Sequence, residues 1–584
     1  MGVLKVAGVS YLLLAAILLV CAQNGNNQSS EDDPRFDARV SELLAKNMLQ
    51  LSQEIGTTIL QDSDRPTEVF SPLSIYTALS ILLMGANGQT FQELMGLLKI
   101  NSDSYLSQNT WKVHEELSLM IDDLNGTIPH PGHRRRYQAL WRNQNALHEN
   151  RNQNQESLQQ ISVANGIFFQ NGYSIRDDFR DAMQSAYQAH LQRLDFANKP
   201  DLSTKYINSW VNEKTQGKIK KILTNELPQS TKAIIASALY FKALWERTFY
   251  EAGTKPREFY PDGINRPPIM VDMMAIGGSY PFYDSKEYDC RIIALPYRKH
   301  LTTMYIIIPN KSTRHRLRQF QATLTADKIQ EMISKMEWKT AIILFPKLHI
   351  TNRIDLKMVL KRMGLRSLFS YDQSDLSLIS TGVETPLSQN HFPGTLNNVD
   401  DRQFLFPRFD DVESRNATAS TRNATHEAAK NNTNDAAKRE RRSAVTYKAT
   451  SSDTNAQREP LRLKDLVISK RITKSYPYIK LRSRLRRDIP TDPSLNLKRL
   501  DLLRTRLSSE RYPNPGLFAD ELIHQIDLTV NEVGTEGGAA TITTLNRSGP
   551  DILFRAETPF LFLIRHEDTK IPIFYGTVFE PTNF

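Results

Sequence analysis

The 584-residue chain has only two cysteines, Cys21 and Cys290, too few for a disulfide framework. Its 25 glycines and 28 prolines are too sparse for a collagen-like or wholly low-complexity polypeptide. Catalytic signatures are missing as well: there is no GxSxG, HExxH, GxxxxGK[ST] or GxGxxG. The 12 histidines are scattered without metal-ligand spacing, so neither a metal nor a cofactor is expected. The chain does not read as an enzyme. Apolar runs long enough to cross a membrane are also lacking, since the longest, Val9 to Val20, is twelve residues against the roughly 20 a span needs.

That run has a function of another kind. Lys5 precedes it and Cys21-Ala22-Gln23 follows, the order of a secretory signal cleaved after Ala22. The alternative is an uncleaved anchor. Residues 1–22 are expected to be removed and the mature chain to be secreted and extracellular, without membrane attachment and with no nucleic-acid partner. Cleavage would leave Cys290 as the remaining thiol. A lone thiol in a secreted chain can be reactive or pair with another chain, but this one stands in CRIIALPY, which reads as a strand, so a buried apolar thiol is expected.

Charge is unevenly placed. The whole chain carries 74 Lys and Arg against 64 Asp and Glu, a net +10. Residues 382–515 hold 26 of the cations and 16 of the anions, so the rest of the chain is neutral. This stretch shows no sustained apolar periodicity and is rich in Asn, Thr, Ser, Arg and Pro. It reads as a solvated, disordered insertion. A second polar stretch, 126–157, contains His133-Arg134-Arg135-Arg136.

Outside these stretches the pattern is ordered. Ser41 to Ile55 places Leu43, Leu44, Met48, Leu51 and Ile55 on one helical face. Ser71-Pro72 opens an apolar helix to Leu83 with a capping residue and a proline at the first position. Helices are also expected over Gln89–Leu98, Val113–Leu124 and Asp355–Met363, the last closed by Gly364. Strands are expected over Ile161–Phe169, Thr231–Phe241, Arg291–Leu295, Thr302–Ile308, Thr340–Leu348, Leu522–Val530, Phe560–Arg565 and Pro572–Val578. Helices come first and strands later, which makes the class α+β.

Asn531-Glu-Val-Gly-Thr-Glu-Gly-Gly-Ala-Ala-Thr541 resembles the hinge of the reactive-centre loop of the serpins, a serine protease inhibitor family. Further motifs fit in order. Val69-Phe-Ser-Pro-Leu-Ser-Ile75 with Leu83-Met-Gly-Ala86 resembles the family's helix B, and Asn208 to Ile219 its helix F. Ala238 to Phe249 resembles the strand and turn that follow; Phe345 to Leu348 and Pro559 to Ile564 also match. The resemblance implies three β-sheets and about nine α-helices. The domain would run over 23–381 and 516–584, interrupted by the 382–515 insertion and exposing a loop over 532–558. A protease would cleave that loop as a substrate. The cut loop would then insert as a strand into the large sheet, carrying the acylated protease with it. A monomer is expected, and the alternative that the same fold allows is a non-inhibitory carrier or binding protein.

The resemblance also assigns residues. The hinge would comprise Glu532, Gly534, Thr535, Glu536, Gly537, Gly538, Ala539, Ala540 and Thr541. Inserted side chains alternate, so if Thr535 faces inward, so do Gly537, Ala539 and Thr541, all small and uncharged. Gly537 and Gly538 stand where inhibitory members usually have Ala, which would slow insertion. Ser71, Ser74 and His524 match a polar cluster under the opening sheet, with Ser237 where an Asn is usual. Trp245 matches the residue where the loop enters, and Glu532 and Lys347 a salt bridge there. Counting from Glu532 places the scissile bond at Ser548-Gly549, whereas chemistry favours Arg547-Ser548. An arginine fills the acidic specificity pocket of a trypsin-like serine protease, the expected partner.

The insertion carries its own signals. Sequons stand at Asn416, Asn423 and Asn431, with others at Asn27, Asn125 and Asn310, so a glycoprotein is expected. Arg439 to Arg442 and Arg484 to Arg487 both read R-x-[KR]-R, giving convertase-like cuts after Arg442 and Arg487. The basic excess makes a heparin-like polyanion a further candidate partner. Glu115, Glu116, Asp122 and Asp123 argue against the helix on which the family often binds such ligands.

Overall fold

The computed structural model describes residues 37–61, 63–124, 159–383, 493–510, 515–535 and 549–581. The chain divides into two compact units, residues 1–386 with 492–584, and residues 387–491. The second unit lies outside the described residues.

The described part of the first unit opens with a long helix. Helix α1 (Ala38–Leu60) begins at Asp37, whose carboxylate accepts from the amides of Arg39 and Val40. It buries Leu44, Met48, Leu51 and Ile55, four of the five residues assigned to its apolar face. Strand β1 (Thr67–Phe70) leads to α2 (Pro72–Gly85), capped by Ser71 and buried at every residue. A helix without a polar face must lie inside the molecule. Helices α3 (Gly88–Leu97), α4 (Ser104–Gln108) and α5 (Thr110–Leu124) follow. Next come β2 (Gln159–Gln170), β3 (Tyr173–Ile175), α6 (Asp177–Tyr187), β4 (His190–Leu194) and α7 (Pro200–Lys214). The segment matched to helix F reaches Ile219, but α7 ends at Lys214, where Gln216 and Gly217 take positive φ and stop it.

Strands β5 (Ala233–Leu244), β6 (Tyr250–Phe259), β7 (Ile269–Ser285), β8 (Cys290–Pro296) and β9 (Thr302–Pro309) precede α8 (Arg314–Thr323) and α9 (Ala326–Ser334). Then come β10 (Glu337–Pro346), β11 (Leu348–Asp355), α10 (Leu356–Arg362) and β12 (Ser380–Val383). The run read as one strand over Thr340–Leu348 is thus two strands, parted at Lys347. Helix α11 (Pro493–Glu510) and strands β13 (Glu521–Val530), β14 (Gly534–Thr535), β15 (Ile552–Arg555), β16 (Phe560–His566) and β17 (Pro572–Val578) complete the order. Among the described residues there are three sheets, as expected, and eleven α-helices rather than about nine. Cys290 opens β8 fully buried, and burial pushes its thiol pKa up to about 12.

The six-stranded sheet runs β11-β13-β14-β5-β2-β4. Strand β14 occupies only the top of the space between β13 and β5. Below it those two strands pair directly and in parallel, Glu521–Ile526 against Ile234–Leu239. A strand that continued β14 between β13 and β5 would have to part those six pairs.

The insertion needs correcting at both ends. Residues 382–515 were expected to be solvated, yet Gly382 and Val383 belong to β12, which pairs with β3. Pro493–Glu510 forms α11, which packs on α5 and α6 with Leu497, Leu500 and Leu507 buried. The apolar spacing was obscured by Arg504, which falls on the same inward face and is itself buried. A charge in a leucine stripe reads as a solvated residue unless its partners are visible. The ends do approach as expected, since a Cβ at Gly382 would lie 3.9 Å from the Pro515 Cα. Deleting residues 387–491 and bridging the gap with a Gly/Ser linker should therefore leave soluble yield and Tm unchanged. Deleting 382–515 removes three buried leucines, each worth about 2–5 kcal/mol on truncation to alanine, and should lower Tm sharply in a thermal melt.

Candidate functional site

Beneath the middle of the six-stranded sheet, the start of α2 meets β5 and β13. The Ser71 amide donates to His524 Nε2 at 2.9 Å, and the Ser74 amide to Ser71 Oγ at 3.2 Å. Ser74 Oγ and Ser237 Oγ lie 2.6 Å apart. All four residues, spread over more than 450 positions of sequence, are fully buried. Ser237 pairs with His524 on one side and with Asn165 of β2 on the other. The Asn165 amide has no protein hydrogen-bond partner, although it is buried. It escaped the sequence reading because it lies inside an otherwise apolar strand, with nothing to mark it as part of the cluster.

Burial depresses the His524 pKa to about 3, against a weaker opposing pull from the Ser237 backbone. Neutrality is also demanded by geometry: Nε2 accepts a hydrogen bond from the Ser71 amide, and a protonated ring offers only donors. The folded-state pKa is below the unfolded value near 6.5, so this contribution to stability is complete above about 6.5. It is lost as pH falls. His524→Gln should flatten the fall in unfolding free energy below pH 6.5, by an amount approaching about 1.4 kcal/mol per pH unit near pH 5, measured by denaturant titration.

At the top of the sheet, Lys347 Nζ lies 2.8 Å from Glu532 Oε1, and Thr254 Oγ1 donates to the same oxygen at 2.7 Å. Burial raises the Glu532 pKa, but these two bonds outweigh it and hold it below the usual carboxylate range. Trp245 is buried and donates through Nε1 to the Asn531 carbonyl at 2.9 Å. Its ring stacks on Tyr297 with centroids 4.3 Å apart. Asn531 Oδ1 accepts from the amides of Val533 and Gly534, closing a tight turn that reverses the chain after β13.

That turn delivers β14 antiparallel to both neighbours. Thr535 pairs with Val530 of β13 and with Ala243 of β5. It is fully buried, and its Oγ1 lies 2.9 Å from the Tyr297 hydroxyl. Gly534 is required by close approach: a Cβ there would stand 2.2 Å from the Ala243 carbonyl oxygen. Sequence reading missed Tyr297, Thr254 and the turn-forming role of Asn531, although N-x-x-G ahead of the hinge is a legible turn signal. The rest of the hinge, Glu536 to Thr541, and the bond at Arg547-Ser548 lie outside the described residues. So do Asn27, Asn125, Asn416, Asn423, Asn431, Arg442 and Arg487. Asn310 is described, and its amide donates to Asp289 at 2.9 Å. Among the described residues, no group of three or more His, Cys, Asp or Glu is placed to hold a metal ion.

The family model described as Serpin (serine protease inhibitor) matches residues 46–391 and 495–581. The chain belongs to the serpin family. It is 33% identical over 547 residues to Serine protease inhibitor 28Dc of Drosophila melanogaster, covering 93% of this chain and 81% of that protein. Intracellular coagulation inhibitor 1 of Tachypleus tridentatus is 27% identical over 340 residues, 58% of this chain and 73% of that one. Among solved structures, human thyroxine-binding globulin aligns with a TM-score of 0.59 at 15% identity, covering 93% of this chain and all of that one. Mouse protein-Z dependent protease inhibitor aligns with a TM-score of 0.58 at 18% identity, covering 94% and 100%. These structural likenesses speak for the serpin fold. The family and its relatives place the chain among serine protease inhibitors rather than catalytic enzymes.

Proposed function

We propose that this serpin is a secreted suicide-substrate inhibitor of trypsin-like serine endopeptidases, cleaved after Arg547. The observation that carries the reading is the seat of Gly534 and Thr535. They already form the first rung of an antiparallel strand between β5 and β13, above a seam of six strand pairs. A loop that continues this strand with Gly537, Ala539 and Thr541 facing inward buries no charge as it advances. A carrier has no need of an uninterrupted row of small inward residues, so the hinge favours inhibition over the carrier reading.

Specificity rests on Arg547, the one basic residue between Glu532 and Arg555. Its guanidinium supplies a charge-assisted bond to the acidic pocket of a trypsin-like protease. Trypsin-like, chymotrypsin-like and elastase-like enzymes should be compared by their rate of covalent complex formation, with mass spectrometry of the released C-terminal peptide. Trypsin-like enzymes should react fastest, releasing a peptide that begins at Ser548. A peptide beginning at Gly549 would move the bond one residue on.

Secretion rests on the apolar run preceding Ala22, and partnership with a heparin-like polyanion on the basic excess of residues 382–515. Weaker retention of the 387–491 deletion protein on a heparin column would support the second. Equal retention would point to Arg134 to Arg136.

A further inference from the structure

Helix α11 is held by one turn that caps two other helices. Arg504 is buried and directs all five of its N–H groups to acceptors. Nε donates to the Ala86 carbonyl at 3.2 Å, and Nη2 to the carbonyls of Leu83 and Met84 at 3.1 and 3.0 Å. These are carbonyls at the C-terminal end of α2, where a cation also meets the negative end of the helix dipole. Nη1 donates to Thr110 Oγ1 at 3.0 Å and to Asp501. Asp501 in turn accepts from Thr110 Oγ1 at 2.8 Å and from the Trp111 amide at 2.9 Å, at the N-terminal end of α5, where an anion is favoured. Ser508 adds a bond to Asn87 at 2.9 Å, just past α2.

The placement of α11 gives these bonds a mechanical meaning. The next element of the chain after this helix is β13, one wall of the seam that the cut loop must open. It also packs along α6, which connects β3 to β4, and β4 belongs with β2 and β5 to the other wall. Opening the seam separates the β13–β11 side from the β5–β2–β4 side. Helix α2, whose N-terminal end carries Ser71 and Ser74 and whose C-terminal end receives Arg504, lies beneath both.

We infer that Arg504 is a positioning residue for loop insertion, fixing α11 as a brace that keeps the six-stranded sheet closed. The inference rests on the proposed insertion mechanism only through the sheet-opening step, so it is tested without a protease. Full-length protein is incubated with a synthetic peptide of the sequence Gly534 to Leu545, and uptake is followed by native gel and intact mass. Arg504→Ala should take up the peptide about tenfold faster than the unmodified protein. Arg504→Lys, with three donors for five acceptor positions, should fall between. Leu317→Ala, a buried residue of α8 away from the brace, should lower Tm yet leave uptake unchanged. Uptake by Arg504→Ala no faster than by the unmodified protein or by Leu317→Ala overturns the inference, as does failure of every form to take up peptide. Should Arg504→Ala not fold, Thr110→Val and Asp501→Asn each remove one acceptor and are read by the same comparison. A protein that takes up peptide at the expected rates but forms no covalent complex with any protease would sink the inhibitory reading and leave the brace intact.

Discussion

Arg547→Ala is expected to slow inhibition of trypsin about a thousandfold while leaving Tm unchanged. Losing one partner of a buried charge pair costs about 2–5 kcal/mol, and the arginine would form such a pair with the carboxylate of the protease pocket. Its effect should be confined to recognition, because the loop is a substrate before it is a strand. Progress curves of trypsin activity against inhibitor concentration give the rate directly. Inhibition at the unmodified rate would remove Arg547 from the scissile bond and favour Ser548-Gly549, the bond reached by counting from Glu532.

Thr535→Arg should abolish covalent complex while the loop is still cut at a similar rate. Thr535 is 0% exposed, between β13 and β5, with Oγ1 against the Tyr297 hydroxyl. An arginine there must be expelled or buried without a partner, and an unpaired buried charge costs several kcal/mol. Because Thr535 is already seated in the uncleaved protein, the substitution should also dislodge the hinge before any protease arrives. A fluorophore placed beside the hinge would report that displacement. Undiminished complex yield would rule out loop insertion as the trapping step.

The two predictions differ in how far the sequence alone supported them. Local signals were legible: Ser71-Pro72 as a helix start, the leucine face of α1, and the small residues of the hinge. The polar cluster came from resemblance, and its geometry could not be read from spacing, because Ser71, Ser237 and His524 meet only after folding. Asn165, inside an apolar strand, and Tyr297, just past the end of β8, were invisible for the same reason, being ordinary residues until the fold places them. Helix α11 was misread because Arg504 interrupts a leucine stripe. Its charge is tolerated there by acceptors at Leu83, Met84, Ala86 and Thr110, far away in sequence, together with Asp501 one turn back on the same helix. Burial of charge is a tertiary fact, and composition counts such a residue as surface.

The central claim is that a cut at the loop is converted into a trap by strand insertion between β5 and β13. The most direct measurement is denaturing electrophoresis of the full-length protein after mixing with trypsin, resolved over seconds to minutes. The account predicts a band that survives SDS, with a mass equal to the protease plus the inhibitor lacking its C-terminal peptide from Ser548 onward. Quantitative cleavage of the loop without that band would contradict it and leave a non-inhibitory serpin.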